Sequence, residues 1–280
     1  PTPSSAASDV YKRQVKRVLP RINEEINEEW ISDKTRYACD GLKNQRLDTP
    51  LIKNNGNFEE ISWQDAYKKI KEKISITSPD KIVGLTGDMT NMETMFAVKN
   101  LFQKTLNSSY LDSRAKHTYI NFENRSNYLF NSGIEGIEES DLILLIGTNP
   151  RFEATILNSR IRKTYLKNKT EIFSLEDVGD LTYPYKVLEN NSKVIDKIIK
   201  NEHNLSNKIA SAEKPIIILG QSILNSNNGA YIFEELKRYL TSINKIDDNW
   251  NALNILSTDA SAVGSYAVSY THLRAHETST

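Results

Sequence analysis

Continuous apolar runs closed by glycine alternate with stretches of helical period through the middle of this chain. Asp141 to Gly147 (DLILLIG) is the clearest strand, an uninterrupted apolar run of the kind found in parallel sheets covered on both faces. Pro215 to Gly220 (PIIILG) repeats the type, Lys81 to Gly87 (KIVGLTG) reads as a short buried strand, and Thr170 to Glu176 (TEIFSLE) as another. Between them, Asn91 to Leu106 reads as a helix with Met92, Met95, Phe96, Val98, Leu101 and Phe102 mostly on one side. Arg151 to Leu166 and Ala230 to Ile243 read as further helices. Strands and helices alternating at this length imply βαβ crossovers, so the expected fold is α/β with a doubly wound, mostly parallel sheet. No internal repeat recurs at a fixed period.

Upstream of Lys81 the pattern is shorter and irregular. Val15, Val18 and Leu19 suit a strand ended by Pro20. Pro50 to Lys53, then Asn55-Gly56-Asn57 and Phe58, predict a hairpin, because Asn-Gly supplies the positive φ that such turns require. A long helix should follow, capped by Ser62, with Trp63, Ala66, Tyr67, Ile70 and Ile74 on one face and Lys68, Lys69, Lys71 and Lys73 on the wet face.

The two ends differ from this middle. PTPSSAASDVYKRQ (Pro1 to Gln14) and AVSYTHLRAHET (Ala267 to Thr278) resemble translated sequencing adapter, and His272 and His276 lie within the second. The expected organisation is therefore a scar over 1–14, a small β-containing segment over 15–62, a truncated Rossmann-like α/β domain over 63–264, and a second scar over 265–280. On that reading the natural sequence runs from about Val15 to about Gly264 and is a fragment.

Charge and cysteine content narrow the function classes. The 280 residues carry 36 Lys+Arg against 36 Asp+Glu, so no polyelectrolyte attraction to nucleic acid or anionic lipid is expected. The longest apolar runs fall far short of a membrane span. One cysteine, Cys39, cannot form an internal disulfide, nor alone hold zinc or an iron–sulfur cluster. No G-x-G-x-x-G and no Walker-type loop follows a strand, and Gly84-Leu85-Thr86-Gly87 reads as ordinary strand-end glycines. Gly220-Gln221-Ser222 fails the nucleophile-elbow pattern at Leu224. His117 has no fixed partner in sequence, and His203 lies in a polar stretch. Asp88, Asp112, Asp177 and Asp180 fall near strand ends without metal-ligand spacing, which favours capping and turn roles. Cys39 reads as an inert thiol. No catalytic, cofactor-binding or metal-ligating residue is assigned.

Three stretches carry a resemblance specific enough to name a family: Arg17 to Ile52 (RVLPRINEEINEEWISDKTRYACDGLKNQRLDTPLI), Ser113 to Lys163, and Asp177 to Leu188 (DVGDLTYPYKVL). Together they resemble the large iron–sulfur subunit of proton-pumping NADH–quinone oxidoreductase, respiratory complex I, of the alphaproteobacterial and mitochondrial type. WNALNILSTDASAVG (Trp250 to Gly264) is similar to the next stretch of that subunit. More broadly the resemblance is to the molybdopterin-oxidoreductase fold.

The resemblance implies a subunit of an enzyme that passes electrons from NADH to quinone, with [2Fe–2S] and [4Fe–4S] clusters upstream of this segment. It implies other peripheral-arm subunits of complex I as partners. It also implies a peripheral position on the cytoplasmic side of the bacterial inner membrane or the mitochondrial matrix side, without membrane insertion. Departures from the wider fold bear on mechanism. Catalytic relatives carry a fourth cluster cysteine followed by a basic residue, glycine and arginine; here Ser32 stands at the cysteine position and Thr35 at the glycine. Where those relatives hold the pterin nucleotide with Asp-Pro-Arg, this chain has Leu175-Glu176-Asp177-Val178. The expectation is a scaffold that has lost its molybdopterin, serving to buttress clusters and dock neighbours. Arg160 to Lys163 and Glu135 to Glu139 read as opposite-sign surface runs, solvated or facing partners. The alternatives are a catalytic molybdopterin enzyme with divergent contacts and a generic nucleotide-binding module.

Overall fold

A computed structural model describes residues 8–11, 14–42, 44–87, 89–113, 118–189 and 193–268. The chain divides into two compact units, one drawn from Pro1–Arg21, Ile31–Ser113 and Gly264–Thr280, the other from Ile22–Trp30 and Arg114–Val263.

In the described part of the first unit, strand β1 (Ser8–Tyr11) pairs antiparallel with β2 (Gln14–Val18). A short helix α1 (Asp33–Tyr37) begins at Ser32, whose hydroxyl oxygen accepts from the Thr35 N–H at 3.2 Å. Strands β3 (Leu51–Asn54) and β4 (Asn57–Glu60) form the expected hairpin, with Asn55 at φ +47° and Gly56 at φ +90° in its turn. Helix α2 (Trp63–Ser75) follows, its N-cap Ser62 accepting from the Asp65 N–H at 3.1 Å. None of its residues is buried: Trp63, Tyr67 and Ile70, the expected inner face, are each more than half exposed.

The buried strand expected over Lys81 to Gly87 reduces to two residues, β5 (Gly84–Leu85), parallel to an equally short β6 (Leu111–Asp112). Gly84 is buried because a Cβ there would lie 2.5 Å from the Leu111 side chain, yet Val83 and Leu85 face solvent. The strand fails to bury because, among the described residues, no strand pairs with its other side. Helix α3 (Met92–Asn100) joins the two strands and passes into a π-helical turn, Leu101–Leu106, ended by Asn107 at φ +52°. Of its expected apolar side only Met95 is fully enclosed, against Leu111 with Val98 and Phe102 beside it.

The second unit holds the main core. Its five strands are all parallel: β7 (Leu142–Ile146), β8 (Glu171–Ser174), β9 (Lys186–Val187), β10 (Pro215–Gly220) and β11 (Leu253–Leu256), in the spatial order β11-β10-β7-β8-β9. Register runs from Leu142 opposite Glu171 on one side to Ile143 opposite Ile216 on the other. Strand alternation splits β7 between two cores. Leu142, Leu144 and Ile146 pack with Ile217, Leu219 and Phe173 against α6 (Lys193–Ile199), α7 (Asn204–Ser211) and α9 (Gly229–Ser242). Ile143 and Leu145 pack with Ile172, Ile216 and Ile218 against α5 (Thr155–Asn168) through Leu157 and Ile161. Helices thus cover both faces, which is why β7 and β10 read as unbroken apolar runs.

The helix expected over Arg151 to Leu166 is two: a one-turn α4 (Pro150–Glu153) and α5, parted at Ala154, whose backbone leaves the helical region (φ −149°, ψ 71°). Helix α8 (Gln221–Leu224) is equally short and leads into α9. Both edges of the sheet are guarded. On the β11 side, the Ile255 N–H donates to the Leu129 carbonyl at 3.0 Å and the Asn131 amide donates to the Leu253 carbonyl at 2.6 Å. On the other side β9 is only two residues long, and its Lys186 joins Lys208 in pairing with Glu171 at 2.6 Å each.

Candidate functional site

In an open parallel sheet, ligands bind where neighbouring strands send their connections in opposite directions, beyond the carboxyl ends. Here that place lies between β7, which leads to β8, and β10, which leads to β11. The backbones at the ends of these two strands run close together there. Gly147, at φ +63°, presents its carbonyl to the Ser222 hydroxyl, which donates to it at 2.5 Å. A Cβ on Gly147 would fall 2.7 Å from the Ile223 Cβ, and one on Gly220 would fall 2.1 Å from the Gly147 oxygen. The two backbones approach closely at the carboxyl ends of these neighbouring strands.

The polar groups around this edge are occupied. The Thr148 hydroxyl donates to the Glu153 carboxylate at 2.5 Å. Asn149 caps α4 by accepting from the Arg151 N–H, and its side-chain amide donates to the Val178 carbonyl at 2.8 Å. In the loop after β8, Asp177 accepts from the Gly179 N–H at 2.9 Å and the Tyr185 hydroxyl at 2.7 Å; these bonds hold its carboxyl below the usual range. Asp180 accepts from the Thr182 N–H and from the Arg151 guanidinium at 2.6 Å and is lowered in the same way. Both aspartates therefore take the turn roles expected for them, and the Arg151 guanidinium beside the loop already has its anion. Nearer β11, Thr258 bonds Gln221, and the Thr118 hydroxyl donates to Asn225 at 2.6 Å.

A second network joins Tyr119, Asn121 and Glu234. The Tyr119 hydroxyl donates to Glu234 at 2.7 Å and the Asn121 amide donates to the same oxygen at 2.8 Å. Burial first, and then the Glu234 bond, push the Tyr119 hydroxyl up to about 12, so it stays protonated and holds the loop to α9 rather than acting as a base.

The other sequence candidates disperse. His117 and Asp88, with His272 and His276, lie outside the described residues. His203 caps α7, its Nδ1 accepting from the Leu205 N–H at 3.1 Å. Asp112 accepts from the Ser113 N–H at 2.8 Å in the first unit. Cys39 is a half-buried free thiol in a 3₁₀ turn. Among the described residues no three His, Cys, Asp or Glu side chains stand together as a metal site, and no helix is long and apolar enough to cross a membrane.

The opposite-sign runs Arg160–Lys163 and Glu135–Glu139 are not separate solvated faces. Arg160 is 5% exposed; its guanidinium bonds Glu138 and the Glu24 carbonyl and stands 3.5 Å from Glu28. Lys163 joins both carboxylates, at 2.8 Å from Glu138. Sequence spacing marks Arg160 and Glu138 as parts of charged runs, but nothing local signals that Glu28, more than 130 positions away, completes the cluster. Burial alone would raise the Glu138 carboxyl; the bonds from Lys163 and Arg160 outweigh it and hold it below the usual range.

The bonds from Lys186, then Lys208, hold the Glu171 carboxyl below the ordinary value. A lowered folded-state pKa means stability that is full above the unfolded carboxyl's value and lost as pH falls through the folded one. Urea midpoints of Glu171→Gln measured from neutral pH downward should fall less steeply with acid than those of the parent. An unchanged slope would show that the exposed pair contributes nothing.

The second unit is an α/β domain with a five-stranded parallel sheet and helices packed on both of its faces. The chain belongs to the molybdopterin oxidoreductase family, whose profile matches residues 46–279. A second profile, the 4Fe-4S domain described as NADH-ubiquinone oxidoreductase NDSU1/NuoG-like, matches residues 5–40. The chain is 38% identical to the NADH-ubiquinone oxidoreductase 75 kDa subunit of Reclinomonas americana, over 93% of this chain and 40% of that protein. It is 38% identical to a subunit of the NADH-quinone oxidoreductase of Rickettsia bellii, over 92% and 38% respectively. Its identity to the mitochondrial NADH-ubiquinone oxidoreductase 78 kDa subunit of Neurospora crassa is 37%, over 96% and 37%. The chain thus spans about two fifths of the length of these relatives.

The cofactor of the family's name does not fit the residues present. A molybdopterin carries phosphate, and the loop ends that would receive it offer Glu153, Glu176, Asp177 and Asp180, while the nearby cation Arg151 is engaged by Asp180. For the 4Fe-4S match, one cysteine cannot supply four thiolates, and Ser32 spends its hydroxyl capping α1.

Proposed function

We propose that residues 15–264 are a piece of the large iron–sulfur subunit of a proton-pumping NADH–quinone oxidoreductase. In it they form a cofactor-free, doubly wound scaffold rather than a seat of chemistry. The parent subunit carries [2Fe–2S] and [4Fe–4S] clusters upstream and relays electrons from NADH toward quinone. This segment buttresses that cluster region and docks other peripheral-arm subunits on the cytoplasmic or matrix side of the membrane, without inserting into it. The terminal stretches 1–14 and 265–280 are adapter scars on this reading.

The observation that supports the scaffold role is the close approach of the Gly147 and Gly220 backbones at the carboxyl ends of β7 and β10. Similarity over most of this chain to proteins named as subunits of NADH–quinone and NADH–ubiquinone oxidoreductases supports the assignment to that complex. The full-length subunit, purified and subjected to elemental analysis, is expected to contain iron and no stoichiometric molybdenum or tungsten. Stoichiometric molybdenum or tungsten would overturn the scaffold reading in favour of a catalytic molybdopterin enzyme. Absence of both iron and molybdenum would remove the electron-relay role.

A further inference from the structure

Nine residues break the division of the chain. Ile22–Trp30 pack with the second unit, while Arg21 before them and Ile31 after them belong to the first. The segment is a self-contained turn: the Asn27 and Glu28 N–H groups donate to the Asn23 carbonyl, and the Asn23 N–H donates to the Glu28 carbonyl at 3.0 Å. None of the nine is buried, and their large apolar side chains, Ile22, Ile26 and Trp30, are each more than half exposed. Apolar burial therefore contributes little to holding this strap in place. Its backbone is also strained at one point: Glu28 stands at φ +51°, a left-handed setting that a glutamate keeps only when its surroundings fix it there.

Charge supplies that fixing. From this backbone the Glu28 carboxylate meets Lys163 and stands 3.5 Å from the Arg160 guanidinium, which also donates to the Glu24 carbonyl and to Glu138. The Arg160 Nε is buried with no partner among the described residues, so the hydrogen bonds this guanidinium makes go to the strap and to Glu138. The two sides of the cluster are anchored differently. Helix α5 and the 3₁₀ turn Glu135–Glu139 are fixed by Ile161 and Ile137, both fully buried, and by bonds from the Thr164 hydroxyl and Asn168 amide to the Ile137 and Glu138 carbonyls. The strap contributes no buried side chain to that core.

We propose that residues 22–30 are a latched strap: Arg160 and Lys163 hold it on the α/β unit through Glu28 and the Glu24 carbonyl, and breaking the latch frees the strap while the sheet stays folded. Charge gives such a hold an all-or-none character, because once one partner is gone the buried charges left behind gain more from water than from each other. The strap lies inside the stretch 5–40 matched by the 4Fe-4S domain profile, and its holders lie inside the stretch 46–279 matched by the molybdopterin oxidoreductase profile. The latch is thus the contact through which the scaffold grips the cluster-like stretch, an inference that rests on the buttressing role proposed above.

Hydrogen–deuterium exchange on the purified full-length subunit tests the latch. In Arg160→Ala, peptides covering 22–30 should exchange about a hundredfold faster than in the parent, while peptides covering β7 and β10 stay protected. Glu28→Asn is the second variant, since it leaves α5 and the core untouched and asparagine tolerates positive φ better than glutamate. With the latch, this variant loosens the strap by about tenfold or more. Strap protection kept or improved in Glu28→Asn would make Glu28 a mere turn residue and overturns the proposal. So does strap exchange unchanged in Arg160→Ala, and so does loss of protection in β7 and β10 together with the strap, because strap and sheet would then be one cooperative unit. Iron analysis of the same preparation tests the underlying reading separately: a subunit without iron removes the buttressing role, whereas one that holds iron and whose strap ignores both substitutions sinks the latch alone.

Discussion

Replacing Gly220 with alanine should destabilise the five-stranded unit by about 3 kcal/mol or more, at the upper end of what overpacking costs. The added methyl would sit 2.1 Å from the Gly147 oxygen and 2.5 Å from the Thr148 Cβ, and the first of these is backbone, not a side-chain tip that can swing away. Relief requires parting the β7 and β10 loops and breaking the bond from the Ser222 hydroxyl to the Gly147 carbonyl. Chemical denaturation of the full-length subunit would read this as a lower midpoint with an unchanged slope. Gly147→Ala adds a second, independent penalty, because φ +63° is a strained setting for alanine on top of the contact with Ile223. A neutral Gly220→Ala would mean that the two backbones stand further apart in solution than the 2.1 Å approach at this position allows.

Arg160→Ala should cost about 3–5 kcal/mol, the range seen when one partner of a buried ion pair is removed. Glu138 and Glu28 would then face each other with only the half-exposed Lys163 between them, and the Glu24 carbonyl would lose its donor. Arg160→Met keeps the packing and should cost less. Adding Glu138→Gln to Arg160→Ala should recover part of the loss by removing one of the stranded charges. The pH dependence has a definite sign. Because the Glu138 carboxyl is held low, its contribution is present at neutral pH and disappears as acid protonates it. The Arg160→Ala protein, lacking one of the two cations that hold Glu138, should therefore lose less stability between neutral and acid pH than the parent. Equal acid sensitivity in the two would show that the cluster does not hold Glu138 ionised.

The strands and helices written as strong periodic runs are those that fold as read. β7 and β10 follow directly from LILLI and PIIILG, and the β3–β4 turn follows from Asn55-Gly56. What escapes is short or depends on distant neighbours. β9 has two residues, β11 hides its pattern in LNIL between asparagines, and α6 and α7 lie in a lysine- and asparagine-rich stretch. Ala154 breaks the Arg151 to Leu166 helix without a proline or glycine to announce it. The Gly147–Gly220 approach is not legible in sequence, since it joins residues 73 positions apart. The Arg160 cluster is invisible for the same reason, and the burial of β5 is over-read because an apolar run does not say whether its neighbour is present.

The guarding of one sheet and not the other has a consequence for handling this protein. β11 is sealed by the Leu129 and Asn131 contacts, and β9 ends the other side in a short strand flanked by lysines, so the larger sheet offers little edge for another molecule to extend. Val83 and Leu85 are exposed and have no such charge or cover among the described residues. Aggregation of this chain in isolation should therefore nucleate at residues 83–85, and Leu85→Lys would act there as a gatekeeper that keeps the material in solution.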